Sequence, residues 1–166
     1  MVNAIPQLLK TKLLAFGDSI TQGKPPNGVV QVDSNPEVNN KDGSYVNQLD
    51  QKLKDRYKDQ IATLIASGIG GEEAGKGKLR LPGVLDAAKP DALLLLEGVN
   101  DLTNTTDPSM LTGPNSSSQS VLEALSNMCA SAKSRNIKVF IGTLTPLNPA
   151  KYFSQAAVIQ PLNDQI

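Results

Sequence analysis

Ala92-Leu93-Leu94-Leu95-Leu96, running directly into Glu97-Gly98-Val99-Asn100-Asp101, is the stretch on which the fold turns. A continuous apolar run that stops at a polar, glycine-bearing turn reads as a strand buried on both faces, since a strand with one wet face would alternate apolar with polar. Such strands belong to parallel sheets with helices on either side.

The same pattern recurs along the chain. Leu13-Leu14-Ala15-Phe16 is a short apolar run that ends in Gly17-Asp18-Ser19-Ile20-Thr21, and Ile61 to Ala66 runs into Ser67-Gly68-Ile69-Gly70-Gly71. Ile137 to Leu144 supplies a fourth strand. Helical spacing fills the gaps: Ser44 can cap a helix carrying Val46, Leu49, Leu53 and Tyr57, another covers Leu79 to Ala88 before Pro90, and Ser118 to Ser134 places Val121, Leu125, Met128 and Ala132 on one face. Residues 24–42 and 103–118 are polar and read as surface loops, while Pro161 reads as the first position of a new helix. Strands alternating with amphipathic helices imply crossovers, a parallel sheet and a three-layer α/β/α sandwich.

Composition narrows the function. A chain of 166 residues suits a single domain. Sixteen Lys plus Arg against sixteen Asp plus Glu leave no electrostatic footprint for nucleic acid or an anionic membrane. The lone Cys129 forms no intramolecular disulfide and reads as a small buried side chain. The first residues lack a signal-peptide pattern, and no run approaches the ~18 apolar residues of a membrane span, so a soluble chain is expected, whose compartment stays open. With no histidine and one cysteine, zinc or iron ligation of the usual kind is not expected, and the carboxylates lack calcium-loop spacing. No metal or cofactor is expected.

In an open parallel sheet, ligands bind outside the carboxyl ends of the strands. Gly17-Asp18-Ser19, Gly68 to Gly71 and Gly98 to Asp101 each follow a strand and should converge there. Gly70 to Lys76 also fits the first seven positions of a phosphate-binding P-loop. The eighth is Gly77, with no hydroxyl for magnesium, and Glu72 and Glu73 would set negative charge against phosphate, so a nucleotide-binding reading fails.

These blocks resemble the SGNH hydrolases, the GDSL lipase and esterase family. Gly17-Asp18-Ser19-Ile20-Thr21 is similar to the family's first block, Gly71 matches the glycine of the second, and Asn100 in Gly98-Val99-Asn100-Asp101 matches the asparagine of the third. The resemblance implies a flavodoxin-like sheet in the order 2-1-3-4-5 and acyl-enzyme chemistry on an ester of a small molecule, carbohydrate or lipid. It makes Ser19 the nucleophile and assigns the oxyanion to the Ser19 and Gly71 backbone N–H groups and the Asn100 amide.

Two departures stand out. Ala66 occupies a position where the second block often has asparagine, and the family's final Asp-x-x-His block, base and orienting acid, is absent. The domain, residues 1–166, is therefore expected to stop before its last strand and helix, to be inactive alone, and to expose the 137–144 strand as an edge that a second chain or a copy of itself covers. The competing expectation is a carbohydrate- or acyl-binding module on the same fold.

Overall fold

A computed structural model describes residues 7–23, 44–58 and 60–166. The first half runs β1 (Lys12–Gly17), α1 (Ser19–Gln22), α2 (Tyr45–Arg56), β2 (Thr63–Gly68) and α3 (Ala74–Ala88). It continues through β3 (Ala92–Leu96), α4 (Val99–Thr103), a 3-10 turn (Pro108–Met110), α5 (Ser117–Lys133), β4 (Lys138–Ile141) and α6 (Phe153–Asn163). The strands form one parallel sheet in the order β2-β1-β3-β4. The α/β sandwich read from the sequence is therefore the architecture, and its strand order follows the expected series.

β1 is buried from Leu13 to Gly17, as a central strand covered on both faces must be. Leu14 and Phe16 of β1 and Leu93 and Leu95 of β3 join Leu81 and Leu85 of α3 and Val121, Leu125 and Met128 of α5 in one core. At roughly 1.5–3 kcal/mol for each large side chain withdrawn from water, this cluster is the main force holding α3 and α5 on the sheet. The helix starts follow the side chains available to cap them: Ser44 Oγ accepts the Asn47 N–H at 3.3 Å, and Ser116 Oγ accepts the Gln119 N–H at 3.2 Å.

Several boundaries move. β2 begins at Thr63, because Ile61 is 90% exposed, and it extends through Ser67 to Gly68. β4 is shorter than the Ile137–Leu144 reading, and Leu144 beyond it is held by Asn163 of α6, whose amide accepts the Leu144 N–H at 2.7 Å and donates to its carbonyl at 3.0 Å. α3 begins at Ala74 instead of Leu79: Ala74, Gly77, Leu81, Leu85 and Ala88 make its buried stripe, and the small residues at its head conceal the period. α5 starts at Ser117, one residue before the expected Ser118. Pro161 lies inside α6 and not at the start of a helix. Cys129 is only half-buried, with its thiol pushed up by that burial. The 103–118 segment holds the end of α4 and the 3-10 turn, whereas the loop read at 24–42 lies outside the described residues. No described helix is long and apolar enough to cross a membrane.

Candidate active site

Parallel register brings the motifs to one level. Gly17 at the end of β1 pairs with Gly68 of β2 on one side and Leu96 of β3 on the other, so the polar runs that follow leave the sheet side by side. Ser19 is the first residue of α1 and half-buried; Asp18 caps that turn by accepting the Ile20 N–H at 2.9 Å. The Ser19 Cβ lies 3.9 Å from the point a Cβ on Gly70 would occupy, which sets the second motif against the first. The third closes the group: Asn100 in α4 donates its amide to the Glu72 carbonyl at 2.8 Å and makes a longer 3.4 Å contact with Asp18 Oδ2.

Two glycines have structural reasons. Gly71 has φ +77°, a conformation costly for any residue with a side chain, and Gly98 has φ +117° with Val121 only 2.6 Å from where its Cβ would sit. Among the described residues neither the Ser19 nor the Gly71 N–H donates a hydrogen bond, and the Ser19 hydroxyl has no partner. Ser19 thus lies against the second motif at Gly70, Asn100 is tied to that motif at the Glu72 carbonyl, and the Ser19 and Gly71 main-chain donors are unused among the described residues.

The sequence reading missed the acidic groups behind them. Asp101 accepts the Ala74 N–H at 2.9 Å, and burial pushes its carboxyl up to about 6. Burial also raises Asp18. Glu97 is 1% exposed, with neither carboxyl oxygen hydrogen-bonded among the described residues; burial, reinforced by Asp18 and Glu72, pushes it up to about 9. A signal for Glu97 did exist, because it continues the alternation of Leu93 and Leu95 toward the buried side of β3.

The P-loop-like run forms no phosphate cradle. Glu72 is buried in an ion pair with Arg80, Glu73 accepts the Asn104 amide at 2.9 Å, and Gly75 and Lys76 already belong to α3. Among the described residues no group of three His, Cys, Asp or Glu side chains is placed to hold a metal ion. A cavity of about 420 Å³ lined by Leu85, Asp86, Lys89, Pro90, Arg135 and Ile137 lies at the amino-terminal ends of β3 and β4, away from Ser19.

Residues 15–166 match the profile of the GDSL-like lipase/acylhydrolase family, a span that contains all three motifs. The chain belongs to that family.

Solved structures share the fold of this GDSL chain. The enzyme LAE5, an alpha/beta hydrolase from the metagenome of Lake Arreo, Spain, superposes with a TM-score of 0.71 at 20% identity, over 93% of this chain and 70% of its own. AlinE4, an esterase of the SGNH-hydrolase family, gives 0.61 at 23% identity, over 92% and 70%. The acetyl xylan esterase AlAXEase gives 0.62 at 23% identity, over 92% and 72%. Nothing among curated proteins matches the chain.

Proposed function

We propose that this GDSL chain carries the nucleophile and oxyanion site of a serine ester hydrolase. The observation that supports this reading is that Ser19 lies against Gly70, next to Gly71, while the N–H groups of Ser19 and Gly71 are unused among the described residues and the Asn100 amide is bonded to the adjoining Glu72 carbonyl. In the reaction, Ser19 Oγ bonds to the ester carbonyl carbon as its proton passes to a base. The negative charge on the carbonyl oxygen is met by the Ser19 and Gly71 N–H groups and by the Asn100 hydrogen that makes only the long contact to Asp18. Collapse expels the alcohol, protonated by the base, and water then releases the acid.

The base is an imidazole in the triad pattern, and these 166 residues contain no histidine. The proposal therefore places the base and its orienting acid outside residues 1–166, treats those residues as one incomplete domain, and expects negligible turnover from the chain alone. Esters of small molecules, carbohydrates or lipids fit, and the acetyl xylan esterase among the structural neighbours supports a carbohydrate ester. The absence of histidine also supports a second reading, a carbohydrate- or acyl-binding module.

Added imidazole separates the two. With an alkyl fluorophosphonate, Ser19 Oγ forms the bond to phosphorus, fluoride leaves and imidazole takes the proton. The hydrolase reading expects an imidazole-dependent adduct on Ser19, absent from Ser19→Ala, and hydrolysis of 4-nitrophenyl acetate by the chain alone no faster than by that variant. Labelling spread evenly over surface serines would favour the binding module, and strong turnover without imidazole would overturn the external base.

A further inference from the structure

Arg80 joins the ends of β1 and β2 to Glu72, beside the candidate oxyanion donors. It projects from α3 with its guanidinium carbon 3.9 Å from the centroid of the Phe16 ring, stacked over the end of β1. Nη1 donates to Ser67 Oγ at 2.6 Å, and Nη2 reaches the carbonyls of Ser67 at 3.3 Å and Gly17 at 3.5 Å, spanning the carboxyl ends of both strands. Nε donates to both Glu72 carboxyl oxygens, at 3.0 and 3.2 Å, and Nη2 to the second of them.

Glu72 is the hinge of this arrangement. It follows Gly71, its N–H donates to the Ile69 carbonyl at 3.2 Å, and its own carbonyl accepts the Asn100 amide. Gly71 has no side chain and an unused N–H, so nothing of its own fixes its direction. The Glu72 N–H bond to Ile69 closes the turn that contains Gly71, the Glu72 carbonyl holds the Asn100 amide, and the Glu72 side chain, 6% exposed, is anchored by Arg80, 21% exposed. A buried carboxylate with its cation removed would turn to water, and the backbone on either side would follow.

We infer that Arg80 is the positioning residue of the oxyanion site, holding the Gly71 N–H and the Asn100 amide in place through Glu72. The inference rests on the hydrolase reading above for what those donors do. It also requires arginine specifically: the stack on Phe16 and the simultaneous reach to Glu72, Ser67 and Gly17 need a planar fork, which the ammonium of lysine does not provide.

The test compares Arg80→Lys and Arg80→Gln with the unaltered 166-residue chain by hydrogen exchange and amide NMR, together with the imidazole-dependent labelling of Ser19. Expected in Arg80→Lys are faster exchange and shifted signals at the Gly71 N–H and the Asn100 side-chain amide, unchanged α5 amides, and Ser19 labelling slowed by about a hundredfold, the scale of a 1 Å misplacement. Arg80→Gln should show the same or more; if it does not fold, Arg80→Lys decides alone. Gly71 and Asn100 signals in Arg80→Lys that match the unaltered chain, or losses spread evenly over α5 and β3, overturn the inference. A chain whose Ser19 is never labelled defeats the hydrolase reading instead, and the amide signals still decide the role of Arg80.

Discussion

Glu97 extends the inward alternation of Leu93 and Leu95 into a site where an apolar residue would have been in place, and no hydrogen bond among the described residues satisfies it. Asp18, Glu72 and Asp101 face it, with Arg80 the one opposing charge among these neighbours. Between its ordinary value of 4.5 and about 9, the folded chain keeps a proton that the unfolded chain releases, so stability falls as pH rises through that interval. The slope is up to about 1.4 kcal/mol per pH unit. Asp101, raised from 3.8 to about 6, and Asp18, also raised by burial, act in the same sense, so a change made at Glu97 itself separates its part. Glu97→Gln should leave stability near pH 5 almost unchanged, raise it by at least about 1 kcal/mol at pH 8, and flatten the dependence between. Urea unfolding at stepped pH checks this; parallel curves for the two chains would place the titrating group elsewhere. The same scale shows what the sequence could reveal. Ser19, Gly71 and Asn100 stand out as candidates because each lies in a short motif that follows a strand. Glu72 and Arg80 do not, because their pairing depends on how α3 lies across the ends of β1 and β2, which no local pattern encodes.

Among the elements, α3 was the least legible, and its glycines explain why. Gly75, Gly77 and Gly83 all weaken helix propensity, yet they have different surroundings. A Cβ on Gly83 would meet nothing within 4 Å, whereas one on Gly77 would lie 3.3 Å from Glu97 Oε2 and 3.4 Å from its carboxyl carbon. Glu97 is buried and has little room to yield. Gly83→Ala should therefore stabilise the chain by about 0.5–1 kcal/mol, the usual gain at an unhindered helical glycine. Gly77→Ala should fall short of it by about 1 kcal/mol or more, because crowding offsets the gain. A double-mutant cycle makes the cause explicit: in a Glu97→Ala background the penalty at position 77 should vanish, with a coupling of at least about 0.5 kcal/mol. Equal effects at 77 and 83 in the unaltered background would show that Glu97 moves freely. The strands were easier to read, since an uninterrupted apolar run has few alternatives, and the errors at β2 and β4 were confined to their ends, where Ile61 and Leu144 are apolar but outside the ladder.

For the whole molecule, the consequence of the sheet order lies at its edge. β4 pairs with β3 on one side, and among the described residues no strand pairs with the other. Its residues are Lys138, Val139, Phe140 and Ile141; Phe140 is 52% exposed, and Lys138, whose ammonium sits 5.8 Å from the Phe140 ring, is the one charge in the strand. An edge with open backbone groups and an exposed aromatic is a template for another strand, and a single lysine blunts it only in part. The chain should therefore self-associate through β4 when no other strand covers it. Phe140→Lys adds a second charge to the edge and removes the apolar contact, while an exposed site of this kind should change folding stability by no more than about 0.5 kcal/mol. Sedimentation velocity across a broad range of concentration is the direct measurement: concentration-dependent association for the unaltered chain, and a monomer throughout for Phe140→Lys with its unfolding midpoint retained. An unaltered chain that stays monomeric at every concentration would mean that the edge is closed by the protein's own residues. Association that persists in Phe140→Lys would assign it to another surface.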